Sequence, residues 1–166
     1  MINMKYFVTS DLHFGHDKIL DYCKRPFKTV SEMDSKLILN WNKVVGKNDT
    51  IFHIGDFCFK SKTAHEEYAS NLNGNIIFIK GNHDDVNLTR IENLHFNYGG
   101  ITMFMTHDPA LAFISPAREI ICGHVHNLFT EIKQKKSHKH IINAGTDVWD
   151  FKPVKIDTLI KMFNKK

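Results

Sequence analysis

Short apolar runs separated by polar loops set the rhythm of this chain. Met4-Lys5-Tyr6-Phe7-Val8-Thr9 is rich in aromatic and β-branched residues and predicts a strand. Thr50–Ile54, Asn75–Ile79, Ile101–Thr106 and Glu119–Cys122 read the same way. Leu128 to Lys133 and Lys139 to Asn143 flank a Lys-rich stretch like the two arms of a hairpin. Between the strands the period lengthens. Leu37, Ile38 and Trp41 recur at helical spacing behind the cap signal Ser31-x-x-Asp34. His65 to Leu72 predicts another helix, followed by the turn signal Asn73-Gly74. Asp157 to Phe163 predicts a short C-terminal one with Asp157 as its cap. Strands alternating with helices early and a hairpin late indicate an α/β chain with a partly mixed sheet. With no internal repeat, linker or low-complexity stretch, the expectation is one domain over residues 1–166.

Composition narrows the class. At 166 residues, 42% hydrophobic and 24% charged, the chain is no disordered segment, collagen-like fibre or disulfide mini-protein. A domain of this length buries roughly 70% of the surface its unfolded chain exposes. No run approaches the about 18 consecutive apolar residues of a membrane span. The N-terminal residues enter a strand-like run without a basic region or cleavage site. A soluble cytoplasmic protein without a membrane partner is therefore expected. Cys23, Cys58 and Cys122 lie far apart and form no C-x-x-C pair, which reads as reduced thiols acting as small buried hydrophobes. The net charge of +4 is unevenly spread. Lys133, Lys135, Lys136 and Lys139 cluster near the hairpin, and Lys161, Lys165 and Lys166 end the chain. They read as a solvated turn and tail, or as a weak attraction for anionic substrates.

Histidine changes the picture, less by its count of 11 than by its positions. Asp11 and His13 directly follow the first strand, and Asp56 follows the second, after Gly55. Asn82, His83 and Asp84 follow the third, after Gly81. His107 follows the fourth, and His124 and His126 follow the fifth, after Gly123. In α/β sheets the ligand crevice lies outside the carboxyl ends of the strands, so loops leaving one edge would gather these side chains. The glycines let backbone approach such a site closely. Carboxylate and carboxamide oxygens with imidazole nitrogens suit Mn²⁺, Fe²⁺, Zn²⁺ or Ni²⁺. The absence of thiolate from the set argues against a structural zinc finger. Two such ions about 3.5–4 Å apart can clamp a phosphoryl group and lower the pKa of a water between them. Each motif alone is weak, since His and Asp are common in turns; the ordered coincidence carries the inference.

The series Asp11-Leu12-His13, Gly55-Asp56, Gly81-Asn82-His83-Asp84, His107 and Gly123-His124-Val125-His126 resembles the calcineurin-like metallophosphoesterase superfamily, in the family's order. The small single-domain bacterial and phage members are the closer match. They share the opening SDLHFGH, an Arg25-Pro26-Phe27 shortly after it, and a closing pattern like Thr146-Asp147-Val148-Trp149-Asp150-Phe151-Lys152-Pro153-Val154. The resemblance implies a four-layer α/β/β/α sandwich with a dinuclear metal site at the C-terminal ends of the strands. It implies that Asp11, His13 and His126 hold one ion, that Asn82, His107 and His124 hold the second, and that Asp56 bridges both. His83 would face the substrate phosphate and protonate the leaving oxygen, with Asp84 orienting or charge-stabilising it. One departure is Asp108-Pro109 after His107, where relatives often carry an aromatic; the extra carboxylate would tune metal preference or discourage highly charged substrates.

Other residues carry two readings each. His16 either contacts substrate or backs up the first metal, or else merely caps a helix beginning near Asp17. Arg25 either gives a phosphate the bidentate contact that guanidinium makes well or forms a surface salt bridge beside Pro26. His53, His65, His95, His138 and His140 read as strand, surface or hairpin positions, and Phe57-Cys58-Phe59 as packing beneath the site.

The expected activity is hydrolysis of phosphate esters, with a metal-bridging hydroxide attacking phosphorus in line. Phosphodiesters derived from nucleotides or nucleic acid are favoured, because the motifs leave little chain for a capping domain and the site should be open. The alternatives are a phosphomonoesterase on a small metabolite and a non-catalytic metal-binding interaction module. Two divalent ions are expected, Mn²⁺ first, with Fe, Zn or Ni as alternatives. Nucleic acid is a conceivable partner through the basic hairpin, though no binding motif accompanies it.

Overall fold

The computed structural model describes residues 4–85 and 91–165. In chain order the elements are β1 (Tyr6–Thr9), α1 (Ile19–Tyr22), α2 (Val30–Val44), β2 (Thr50–Ile54), α3 (His65–Ser70), β3 (Asn75–Ile79), β4 (Asn93–Tyr98), β5 (Ile101–Thr106), β6 (Glu119–Cys122), β7 (Glu131–Gln134), β8 (Lys139–Asn143), β9 (Val154–Lys155) and α4 (Ile156–Phe163). Short 3-10 helices span Pro109–Ile114 and Thr146–Val148. Among the described residues no helix is long and apolar enough to cross a membrane.

The strands form two mixed sheets, ordered β3-β2-β1-β9 and β4-β5-β6-β8-β7. β1, β2 and β3 run parallel, as do β5, β6 and β8, while β9, β4 and β7 pair antiparallel at the edges. The apolar pattern explains the layering. β2 is buried at every position, as a strand covered on both faces must be. Phe52 and Ile54 turn inward to meet Val8, Ile79, Met105, Ile121 and Ile142 between the sheets. Phe7 and Ile51 turn outward onto Met33, Leu37 and Trp41 of α2. The outer face of the second sheet, with Phe104, Ile120 and Ile141, is covered through Ala112 of the Pro109–Ile114 turn. α4 packs Ile156 and Leu159 into the core between the sheets. The α/β/β/α order is thus present with a thin fourth layer.

Several boundaries differ from the sequence pattern for local reasons. α2 is capped by Thr29, whose side chain accepts from Glu32 N, while Glu32 accepts from Lys28 N. Asp34, expected to complete a cap with Ser31, instead accepts from Gly15 N and the Tyr68 hydroxyl. α4 begins one residue before Asp157, without a side-chain cap. β7 begins at Glu131, leaving Leu128 in the preceding loop. β4 escapes the pattern because Asn93, His95 and Asn97 alternate with its half-buried Leu94, Phe96 and Tyr98. It pairs with β5 through Gly99 and Gly100, both at positive φ, as a tight two-residue hairpin requires. The basic cluster also divides: Lys139 is buried, with Nζ donating to Ser115 O and Ala117 O.

His53 of β2 lies among the rings of Phe57 and Phe78, and neither ring nitrogen has a partner among the described residues. Burial pushes its pKa down to about 3. Above about pH 6.5 the ring is neutral whether the chain is folded or not; below it only the unfolded chain takes the proton, so stability falls by about 1.4 kcal/mol per pH unit toward the folded value. His53→Leu is therefore expected to lose roughly 2 kcal/mol less than wild type between pH 7 and pH 5. Urea unfolding at both pH values checks this, and equal losses would show that the imidazole is satisfied in the folded state.

Candidate metal centre

Each parallel strand releases its polar loop at the same edge of the two sheets. The β1 and β2 loops stay paired beyond the strands, through Asp11 N to Gly55 O, His13 N to Asp56 O and Phe14 N to Phe57 O. Those bonds hold an unusual backbone. Asp11, His13, Asp56, His124 and His126 all carry positive φ, between 48° and 71°. For residues with a Cβ this region costs about 1–2 kcal/mol each, and such strain collects where side-chain aim matters. Close approach is built in as well. A Cβ on Gly81 would strike the Asp56 carboxylate, and one on Gly123 would strike Ser10 and the Asp11 carboxylate.

The expected ligand residues converge. The ligand atoms of Asp11, His13 and His126 lie within 4.8 Å of one another, as do those of Asp11, Asp56 and His107. Asp56 Oδ2 sits between the groups, 3.5 Å from His13 Nε2 and 3.4 Å from His107 Nε2. Asn82 Oδ1 lies 3.0 Å from His107 Nε2 and 2.9 Å from His124 Nδ1. The carbonyl of Ile54, 2.8 Å from His107 Nδ1, can only accept, so Nδ1 carries the proton and Nε2 faces Asp56 and Asn82. His124 N donates to the Asp11 carboxylate, tying the β6 loop to the β1 loop.

The residues fit divalent cations on this structure's own terms. Both ring nitrogens of His13 are buried without a hydrogen-bond partner among the described residues. Burial, against the pull of Asp56, pushes its pKa down to about 2, leaving a neutral lone-pair donor. Burial raises the Asp11 carboxyl. Burial would raise Asp56 too, but the hydrogen bond and charge of His107, with His13, outweigh it and hold Asp56 below the usual carboxylate range. His107 shows the converse: burial lowers it, and the carboxylates of Asp56 and Asp11 carry it up to about 9. Buried carboxylates facing clustered imidazoles are what a cation would satisfy.

Two expectations are corrected. Arg25 neither reaches toward a phosphate nor lies at the surface. Its side chain is fully buried, with Nε and Nη2 donating to Asp147 and the remaining donors going to Leu12 O, Asp11 O and Met33 Sδ. All five guanidinium N–H groups are committed, and together they tie the β1 loop to Asp147 and to α2. Asp84 does not orient the His83 ring. Its carboxylate accepts from the amides of Asp56, Phe57 and Gly81, clamping the β2 and β3 loops together. His83 is held instead by its own amide, which donates to Asp56 Oδ1, and by its ring, packed 4.2 Å from that of Phe59.

The remaining residues sort plainly. His16 is buried beside the site, its ring against those of His13 and Phe59, and it caps no helix through its side chain. Asp108 caps the Pro109–Ile114 turn by accepting from Ala110 N. Phe57 packs beneath the site, whereas Phe59 reaches its edge. Asn143 and Asp147 escape the sequence pattern. Asp147 Oδ2 lies 3.2 Å from His126 Nδ1, and Asn143 donates to His126 O and Phe129 O. Burial lowers the His126 pKa, but Asp147 carries it up to about 10. The available signal was position, since both residues end or follow a sixth apolar strand at the same edge, β8.

Two clefts flank the histidines. One of about 440 Å³ opens on the His13, His83 and His126 side. A smaller one of about 280 Å³ opens beside Asn82, His107 and His124. A groove of about 640 Å³ runs past Ser31, Asp34 and Tyr68, away from the ligand residues.

A family profile described as Calcineurin-like phosphoesterase superfamily domain matches residues 4–160, and the chain belongs to that superfamily. An uncharacterised protein of Methanocaldococcus jannaschii is 35% identical over 166 residues, covering 97% of this chain and 92% of that protein. Gene 66 protein of Mycobacterium phage L5 is 35% identical over 79 residues, 46% of this chain and 38% of that protein. Among solved structures, a protein of unknown function from Aquifex aeolicus superposes with a TM-score of 0.77 at 23% identity, over 96% of this chain and 100% of that one. Vps29 of Chaetomium thermophilum shares the fold at a TM-score of 0.53 and 14% identity, over 84% of this chain and 70% of that one. Family membership and the converging His and Asp side chains together support metal-dependent phosphoesterase activity.

Proposed function

We propose that the protein hydrolyses phosphodiesters of nucleotide or nucleic-acid origin at a centre of two divalent ions. The observation that carries this reading is Asp56 Oδ2, placed 3.5 and 3.4 Å from the facing nitrogens of His13 and His107, between the two ligand groups. Asp11, His13 and His126 would hold one ion, and Asn82, His107 and His124 the other, with Asp56 shared. Nitrogen and oxygen donors of this kind suit Mn²⁺ first and Fe, Zn or Ni next. Bound ions would neutralise charge on the phosphoryl oxygens and make water a nucleophile near neutral pH.

The rest falls to the side chains. His83 is exposed, stands edge-on to His13 with ring centroids 5.6 Å apart, and is braced by Phe59. From there its ring hands a proton to the departing oxygen. Diester preference is supported by the two clefts, one on each side of the histidines, which offer room for two ester arms.

The test compares bis-p-nitrophenyl phosphate with p-nitrophenyl phosphate on metal-stripped protein, with and without Mn²⁺. Metal-dependent cleavage favouring the diester is expected. Preference for the monoester would make the protein a phosphomonoesterase, and no turnover with any of several metals would make it a binding module. His83→Ala is expected to keep its metal and to lose roughly a hundredfold or more on alkyl leaving groups, which need a proton, and much less on p-nitrophenolate. Equal turnover by both proteins on alkyl esters would remove His83 from that role.

A further inference from the structure

Among the described residues, the two most exposed large apolar side chains are Leu128, at 80%, and Tyr22, at 71%. They are not scattered. Both line the cleft of about 440 Å³ that contains His13, His83 and His126. Its size falls within the range of pockets that take small molecules. Its wall is a continuous chain of rings leading from the lip to the reaction point. Tyr22 lies 6.4 Å from His16, His16 lies 4.9 Å from Phe59, and Phe59 lies 4.2 Å from His83, centroid to centroid. His16 is buried, so the middle of that wall is set before any ligand arrives. Lys18 and Lys60 border the same cleft, with Lys60 Nζ standing 5.0 Å over the Phe59 ring. The smaller cleft differs in character: Glu92 and Asp108 line it with Lys80.

We propose that the Tyr22–Phe59–Leu128 cleft seats the base of a nucleotide arm of the substrate, with a further phosphate directed to Lys18 and Lys60. This rests on the phosphodiester reading above and names which arm goes where. The rings meet steeply, Tyr22 at 72° to His16 and His16 at 80° to Phe59, so the wall offers a planar base both ring faces and ring edges, and stacking of a base on an aromatic side chain tolerates any base. Lysines beside that wall match a second anionic group, which Glu92 and Asp108 would repel from the other side. A nucleotide combines the flat heterocycle and the phosphate in one molecule. The second arm, small or uncharged, takes the acidic cleft.

The measurement is calorimetric binding of AMP and of ribose 5-phosphate to the Mn²⁺-loaded protein, which differ by the base. Wild type is expected to bind AMP about tenfold more tightly. Tyr22→Ala and Leu128→Ala should each shrink that ratio toward one, and Tyr22→Phe should keep it. Both residues are exposed, so the alanine variants should fold as wild type does. Equal affinities in wild type, or a ratio unchanged in Tyr22→Ala, would overturn the assignment. If n-hexyl phosphate binds as tightly as AMP, the cleft takes aliphatic chains and the base assignment fails. Loss of bis-p-nitrophenyl phosphate cleavage in wild type with every metal would sink the diester reading itself; cleavage that persists beside a flat ratio sinks only the cleft. A decanucleotide whose advantage over AMP vanishes with salt would assign the base to a nucleic-acid end, and equal binding to a free nucleotide.

Discussion

Asp56→Asn is expected to lower turnover of the metal-loaded protein by roughly a thousandfold while leaving the fold intact. Asparagine keeps the shape of the side chain and an oxygen to accept from His83 N, the bond that Asp56 Oδ1 makes now. It removes the negative charge from Oδ2, the atom lying between His13 and His107. Neighbouring ions repel, and an anionic oxygen shared between them is the least replaceable part of such a centre. About 4 kcal/mol of transition-state stabilisation corresponds to the stated factor. Elemental analysis should show bound metal falling from about two ions per chain toward one or fewer. A variant that keeps both its metal and its turnover would overturn the shared-ligand assignment.

Arg25→Ala is expected to cost about 3–5 kcal/mol of stability, the largest single loss outside the apolar core. The guanidinium and its partner Asp147 are both buried, their side chains 0% and 3% exposed. Truncation leaves the Asp147 carboxylate without its bidentate partner and strips donors from the carbonyls of Asp11 and Leu12. Arg25→Lys should rescue little, because an ammonium cannot reach in all those directions from one point. The pH dependence carries a second signature. Burial tends to raise Asp147, but the bonds from His126 and Arg25 hold it below its ordinary value. A lowered carboxylate contributes stability above its unfolded pKa and loses it as pH falls toward the folded one. The gap between wild type and Arg25→Ala should therefore narrow below about pH 4. Urea unfolding at pH 7 and pH 3.5 measures both effects, and a loss under about 1 kcal/mol at pH 7 would show that the clamp is relaxed in solution.

The convergence of the expected ligand residues was legible in the sequence because the feature that gathers them is local. Asp11, His13, Asp56, Asn82, His107, His124 and His126 each lie just past an apolar strand, and parallel strands deliver their C-terminal loops to one edge. Reading the strands was therefore enough to bring together residues more than a hundred positions apart. The same argument extended to β8 would have found Asn143 and Asp147. β4 is hidden for a different reason: asparagine and histidine at its outward positions mask a strand stabilised by its hairpin turn and by Phe96 against Phe52 and Tyr6.

Chain order alone settles which polar loops meet at the sheet edge, which residue types they offer, and the α/β class, since these depend on periodicity and on the few residues just past each strand. Partners are settled only by folding. Arg25 has the chemistry to grip a phosphate, yet its guanidinium meets an Asp 122 residues away and is spent there. Asp84 adjoins His83 in the chain but serves three backbone amides of the loops around it. Tyr22, silent in the pattern, and Leu128, expected to open a strand, become the walls of a cleft. A side chain's role is set by the groups that face it after burial, and in a sheet-edge site those groups come from loops that sequence order keeps apart.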